Sequence, residues 1–123
     1  MSADKHNKDK PQVGYIHPNT MSQAALAHMA GAVKYSKWNY LKGHSETELL
    51  EAIIRHAQAA LWDSPNDRDA TSRLGQSVTH LGCILANCNM LITQESLGTI
   101  KHDAPHRIKG SLSVSNETTD KET

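Results

Sequence analysis

Glu48 and Glu51 stand three residues apart in a stretch of helical apolar spacing. That interval places both carboxylates on one helix face, within reach of a shared hard cation, with Arg55 and His56 one turn later. The same residues also suit ordinary structural work: Glu48 completes a capping box opened by Ser45, and Glu51 with Arg55 has the spacing of an i,i+4 ion pair. Farther along, His80 and Asn87 are seven apart, two helical turns, with Cys83 and Ile84 between them. A histidine from each of two helices, His56 and His80, is able to bind a metal, orient a phosphate or hydrogen-bond across a bundle. No Cys/His set shows the close spacing of a zinc site, so zinc is not expected.

A second concentration of chemistry lies between residues 34 and 42. Aromatics are 4% of the chain and Phe is absent, yet Tyr35, Trp38 and Tyr40 fall together among Lys34, Lys37 and Lys42, with Asn39 beside them. Cations for phosphates, rings to stack on a base and an amide to read a base edge make this the segment to hold a nucleotide. The alternative is that the rings close the end of a bundle while the lysines stay in water.

Three helical segments position these residues, and no strand pattern competes with them. The first opens at Pro18 and Asn19, with Thr20 and Gln23 spaced as a capping box, and carries Leu26, Met29 and Val33 at helical intervals. The second opens at Ser45 and Glu48 and runs through Leu49, Leu50, Ile53, Ile54, Ala57 and Leu61 to Trp62. The third runs from about Thr71 or Ser77 to Ser96, with Val78, Leu81, Ile84, Leu85, Cys88, Leu91 and Ile92 on its apolar side and Gly98 as terminator. The link between the second and third is an acidic turn containing Asp63, Asp67 and Asp69. An all-α, small antiparallel helical bundle with functional loops is expected. Residues 1–14 and 99–123 are polar and lack apolar periodicity, so both ends are read as disordered, leaving residues 15–98 as the folded unit.

Composition limits the partners. Lys+Arg and Asp+Glu are both 13 in 123 residues, a formal charge of +0, which gives no bulk field for nucleic acid or an anionic membrane. Hydrophobic residues are only 37%, and some 85 residues bury a small fraction of their surface, so association into a homo-oligomer is expected. The two cysteines, Cys83 and Cys88, would point apart on one helix, which excludes a disulfide framework and fits a reducing compartment. With no signal-peptide pattern at the start and no run long enough for a membrane span, a cytoplasmic location is expected, in the host cell if the chain is phage-encoded. The doublet His102–Asp103 has the composition of a metal phosphohydrolase motif, but it lies past the last helix beside Pro105 and is read as chance.

The segment Gly31-Ala-Val-Lys-Tyr-Ser-Lys-Trp-Asn-Tyr-Leu-Lys-Gly43, then Leu49-Leu-Glu-Ala-Ile-Ile-Arg-His56, then an acidic turn ending in Asp69, then His80 with Asn87, resembles a phage family, the dATP/dGTP diphosphohydrolase N-terminal domain. The likeness covers about Gly14 to Leu97, and the family is similar in turn to the all-α MazG-like nucleoside triphosphate pyrophosphohydrolases. It implies a magnesium-dependent oligomer that converts a purine dNTP and water to a dNMP and pyrophosphate. The resemblance implies catalytic roles for Glu51, Arg55, His56 and His80, and substrate contacts from Lys34, Tyr35, Trp38, Asn39 and Asn87. Mg2+ would fall to Glu48, Glu51, Asp67 and Asp69. The third helix carries His80, Cys83 and Asn87 where MazG-like relatives have a second carboxylate pair. A noncatalytic nucleotide-binding protein or inhibitor on the same helices is therefore the alternative expectation, and a helical protein-interaction module is a third.

Overall fold

The helix boundaries trace to residues that satisfy the free backbone groups at helix ends. In the computed structural model, which describes residue 4 and residues 8–108, α1 spans Pro18–Lys34, α2 Glu46–Trp62, α3 Arg68–Leu74 and α4 His80–Leu97. The all-α expectation holds: among the described residues there is no strand, and residues 105–108 add a further helical turn after α4. The expected third helix is broken in two: Gly75 takes a left-handed φ of 81° that ends α3, and the Thr79 side chain accepts from the Gly82 amide to start α4. α1 does not begin on a Thr20–Gln23 box. His17 is its N-cap, with Nδ1 accepting from the Asn19 amide at 3.0 Å, and Pro18 fills the first turn, where its missing N–H needs no partner. The Ser45–Glu48 capping box on α2 forms as expected.

α2 and α1 both pack on α4, and α1 also packs on α3. His44, just before α2, meets Gln94 near the end of α4, whereas His56 late in α2 meets His80 at its start, so α2 and α4 are antiparallel. Gln23 meets Thr79 and His28 meets Asn89, so α1 runs in the same sense as α4. Close approach of these two helices requires Gly82, where a Cβ would come within 2.6 Å of the Gln23 carbonyl oxygen. The core between α1, α3 and α4 is built from small side chains, Ala30, Ala70, Val78 and Cys83, bordered by Leu26, Ala27 and Leu74.

Only one edge of the α2 stripe is covered. Leu49 is buried, but Leu50, Ile54, Leu61 and Trp62 are exposed, as are Leu81 and Ile92 on α4. A stripe wider than a single neighbouring helix leaves its far side in water. Among the described residues no helix is long and apolar enough to cross a membrane.

The boundary expected at residue 98 falls inside the packed structure. Gly98 does end α4 at a left-handed φ of 73°, but the chain then returns to the N-terminus of α2. Lys101 accepts from the Glu46 amide at 2.9 Å and donates to the His44 carbonyl at 2.9 Å. Asp103 caps the Thr47 amide at 3.0 Å and takes the Thr47 hydroxyl at 2.8 Å. Glu46 receives the Ala104 amide at 2.8 Å and both arms of the Arg107 guanidinium, at 2.9 and 3.1 Å. These bonds hold the Glu46 carboxyl down at about 2, the Arg107 hydrogen bond contributing most and the Ala104 amide next. Asp103 therefore serves as a second cap on α2. Its polar neighbourhood hid this role from a reading based on apolar periodicity. The remaining residues of the expected tail, 109–123, and residues 1–3 and 5–7 of the expected disordered start lie outside the described residues. Residues 8–12 are exposed, and Val13–Tyr15 form one exposed 3-10 turn.

Candidate functional site

Small core residues leave room on their open side. A cleft of about 940 Å³ is walled by α1, α3 and α4, with His56 reaching in from α2 and residues 35–40 at its rim. Its walls are mostly apolar, and three of its potential ligand side chains converge in one place, as the polar groups of small-molecule sites do.

That convergence is His56, Asp67 and Cys83, from three different elements, whose donor atoms all lie within 4.8 Å of one another. Asp67 divides its labour. Its Oδ1 accepts the Ala70 amide at 3.0 Å and starts α3, which leaves Oδ2 at 3.8 Å from His56 Nδ1 and 3.8 Å from Cys83 Sγ. Burial lowers the His56 pKa, outweighing the opposing pull of the Asp67 charge. Burial first, then the Asp67 charge and hydrogen bond, push the Cys83 thiol up to about 11. Behind this group His80 is buried, with Nδ1 2.9 Å from His56 Nδ1. One ring donates its proton to the other. Asn87, one turn beyond Cys83, donates Nδ2 to the Cys83 carbonyl at 2.8 Å and also lines the cleft.

The rim is under backbone strain. Ser36 at φ 143° and Trp38 at φ 70° occupy a region that favours glycine, a condition that persists only where the surroundings impose it. Gln94 anchors the residues that follow. Fully buried, it donates to the Tyr40 carbonyl and to His44 Nδ1 (2.6 and 2.9 Å), and accepts the His44 amide at 2.8 Å. Tyr40 stacks obliquely on His28 at 5.0 Å and lies 6.5 Å from Trp38, which stays 60% exposed. Lys37 sits over the Trp38 ring at 5.2 Å, and Lys34 over Tyr35 at 5.2 Å.

The structure thus brings together part of the residue set expected from sequence and disperses the rest. His56, Asp67, Asn87, Tyr35, Trp38 and Asn39 share the cleft, and His80 backs it. Lys34 is exposed outside the lining. The four carboxylates proposed for Mg2+ do not converge. The Glu48 carboxylate is taken up by the capping box with Ser45, beside a separate depression shared with Lys101 and Asp103, because a helix start needs it there. Glu51 and Arg55 are exposed on α2 outside the cleft, and Asp69 is exposed in the first turn of α3. The sequence places Cys83 beside His80 and Asn87 but gives it no site role, and it gives no sign of Arg73, which enters the cleft while donating Nε to the Ala30 carbonyl at 3.1 Å. The buried role of Gln94 left no sequence signal.

The description "dATP/dGTP diphosphohydrolase, N-terminal" belongs to a family model that matches residues 1–104, most of the chain. No curated protein and no solved structure matches it. With the match spanning all four helices and the cleft between them, the chain belongs to the dATP/dGTP diphosphohydrolase N-terminal family.

Proposed function

We propose that the cleft binds a purine deoxynucleoside triphosphate and hydrolyses it to the monophosphate and pyrophosphate. The observation that carries this reading is the juxtaposition, in a member of this family, of a strained aromatic rim with the His56–Asp67–Cys83 cluster across one cleft. Tyr35 and Trp38 offer faces for the base, Asn39 and Asn87 amides for its edge, and Lys37 and Arg73 cations for the phosphates. Water enters between the α and β phosphorus atoms. Its oxygen ends on the monophosphate, and the β–γ unit leaves as pyrophosphate. Mg2+ bound to the triphosphate would neutralise its charge, and that would require no four-carboxylate cage on the protein. The exposed apolar stripe of α2 supports a working homo-oligomer.

A second reading, binding without turnover, draws on the dispersal of the carboxylates and on α4 presenting His80, Cys83 and Asn87 rather than an acidic pair. Incubation with each dNTP and Mg2+, followed by anion-exchange separation, distinguishes the two. A monophosphate and pyrophosphate from dATP or dGTP support hydrolysis. Retained but intact nucleotide supports binding alone, and no effect on any nucleotide contradicts both.

A further inference from the structure

His56, Asp67 and Cys83 are separated in sequence by 11 and 16 residues, which is why no zinc-like spacing is visible there. In space their donor atoms converge. Two donors bound to one tetrahedral ion at zinc-like bond lengths stand roughly 3.3–3.7 Å apart. The His56 Nδ1 to Asp67 Oδ2 and Asp67 Oδ2 to Cys83 Sγ separations are each 3.8 Å, and all three donor atoms lie within 4.8 Å of one another, so side-chain adjustment of up to about an ångström closes the set on an ion. All three residues line the cleft, which leaves a fourth position directed toward it, whereas His80 lies outside the set and does not line the cleft. We propose that His56 Nδ1, Asp67 Oδ2 and Cys83 Sγ hold a divalent transition metal of the zinc class, with its open position facing the nucleotide cleft.

The donor types decide the class of ion. A thiolate and an imidazole with one carboxylate select zinc, cobalt or their neighbours over Mg2+ and Ca2+, which demand oxygen ligands. Three protein ligands with one open position is the arrangement of catalytic rather than structural zinc. The supports of the set are already built: Asp67 Oδ1 is fixed by the Ala70 amide, and the Cys83 carbonyl by Asn87 Nδ2. The competing state is the His56–His80 hydrogen bond at 2.9 Å, which occupies the same His56 nitrogen and requires no ion. Metal binding itself stands apart from the nucleotide reading, whereas a role for the ion in activating water rests on it.

Cobalt titration of the reduced, metal-stripped full chain tests the site. The expected result is one equivalent bound, with a near-ultraviolet thiolate-to-cobalt charge-transfer band and the intense visible bands of a four-coordinate ion. Zinc should displace it, and a large excess of Mg2+ should not. Cys83→Ser should abolish the charge-transfer band, and His56→Gln should weaken binding about 100-fold or more, while Cys88→Ser should leave the spectrum unchanged. Circular dichroism confirms that each variant is folded, and zinc competition against a chromophoric chelator gives a second readout in wild type alone. Absence of stoichiometric cobalt or zinc binding by folded wild type overturns the proposal, as does a thiolate band that survives Cys83→Ser or disappears with Cys88→Ser. Cobalt binding through Cys83 in a protein that turns over no dNTP would leave the site standing and remove the hydrolase reading.

Discussion

The Nδ1 atoms of His56 on α2 and His80 on α4 lie 2.9 Å apart, with the rings 5.1 Å between centroids and tilted by 45°. This contact fastens the end of α2 that carries the cleft cluster to the first residue of α4. His80 is buried, so His80→Ala removes a partner and leaves the His56 nitrogen half-buried without one. The expected destabilisation is about 1–3 kcal/mol, read as a lowered urea midpoint with an unchanged slope. A midpoint equal to wild type would show that the pair contributes no net stability.

The fastening at the opposite end of α2 is acid-sensitive. Glu46 in the folded chain titrates at about 2, below its ordinary value of 4.5, chiefly because of Arg107. A lowered folded pKa means that its contribution is complete above about pH 5 and declines as pH falls through 4.5 toward 2. Thermal melts of wild type from pH 6 to pH 2.5 should therefore fall more steeply than those of Glu46→Gln, with the two curves converging at the acid end. Parallel curves would place the acid sensitivity elsewhere.

Much of this architecture was legible in the sequence and some of it was not, for reasons that differ by residue. The capping box of Ser45 and Glu48, the terminator Gly98 and the apolar spacing of α2 are local, and local pattern reveals them. The break between α3 and α4 was missed because Gly75 sits between two runs whose apolar spacing is nearly continuous. Spacing beside Glu51 suggests a metal ligand at Glu48, yet its carboxylate is engaged by the Ser45 amide and hydroxyl. Cleft membership is a tertiary property. His56 and Asp67 were singled out from sequence, but Cys83 and Arg73 reach the same cleft from α4 and α3, and only packing shows that. The docking of Lys101, Asp103, Ala104 and Arg107 on α2 consists largely of polar bonds, so hydropathy gave no sign of it.

Trp38 should carry base affinity. Trp38 is 60% exposed at the cleft rim, on a strained backbone that leads into Tyr40 and His44, which Gln94 anchors. Stacking contributes about 1–3 kcal/mol per base, so Trp38→Ala should weaken dGTP or dATP binding about 5- to 150-fold by calorimetry. Unchanged affinity in a folded variant would reduce the rim to a structural lid.

The uncovered side of α2 should mediate association. Leu50, Ile54 and Leu61 recur at helical spacing and are 42%, 56% and 75% exposed. Light scattering should find more than one chain per particle at micromolar concentration, and Ile54→Asp should shift the protein toward monomer. A compact wild-type monomer would contradict the expected assembly.

The most direct measurement follows dGTP by phosphorus NMR with Mg2+ in water enriched in oxygen-18, comparing wild type with Asp67→Asn. Asparagine is a good helix cap, so the variant preserves the start of α3 while replacing the carboxylate oxygen that Asp67 presents to the cleft with an uncharged amide group. The account predicts that wild type forms dGMP, carrying the heavy oxygen, and pyrophosphate in equal amounts. Asp67→Asn should fold normally and turn over dGTP on the order of 100-fold or more slowly. Formation of dGDP and phosphate, failure of wild type to hydrolyse dGTP or dATP, or undiminished turnover in Asp67→Asn would contradict it.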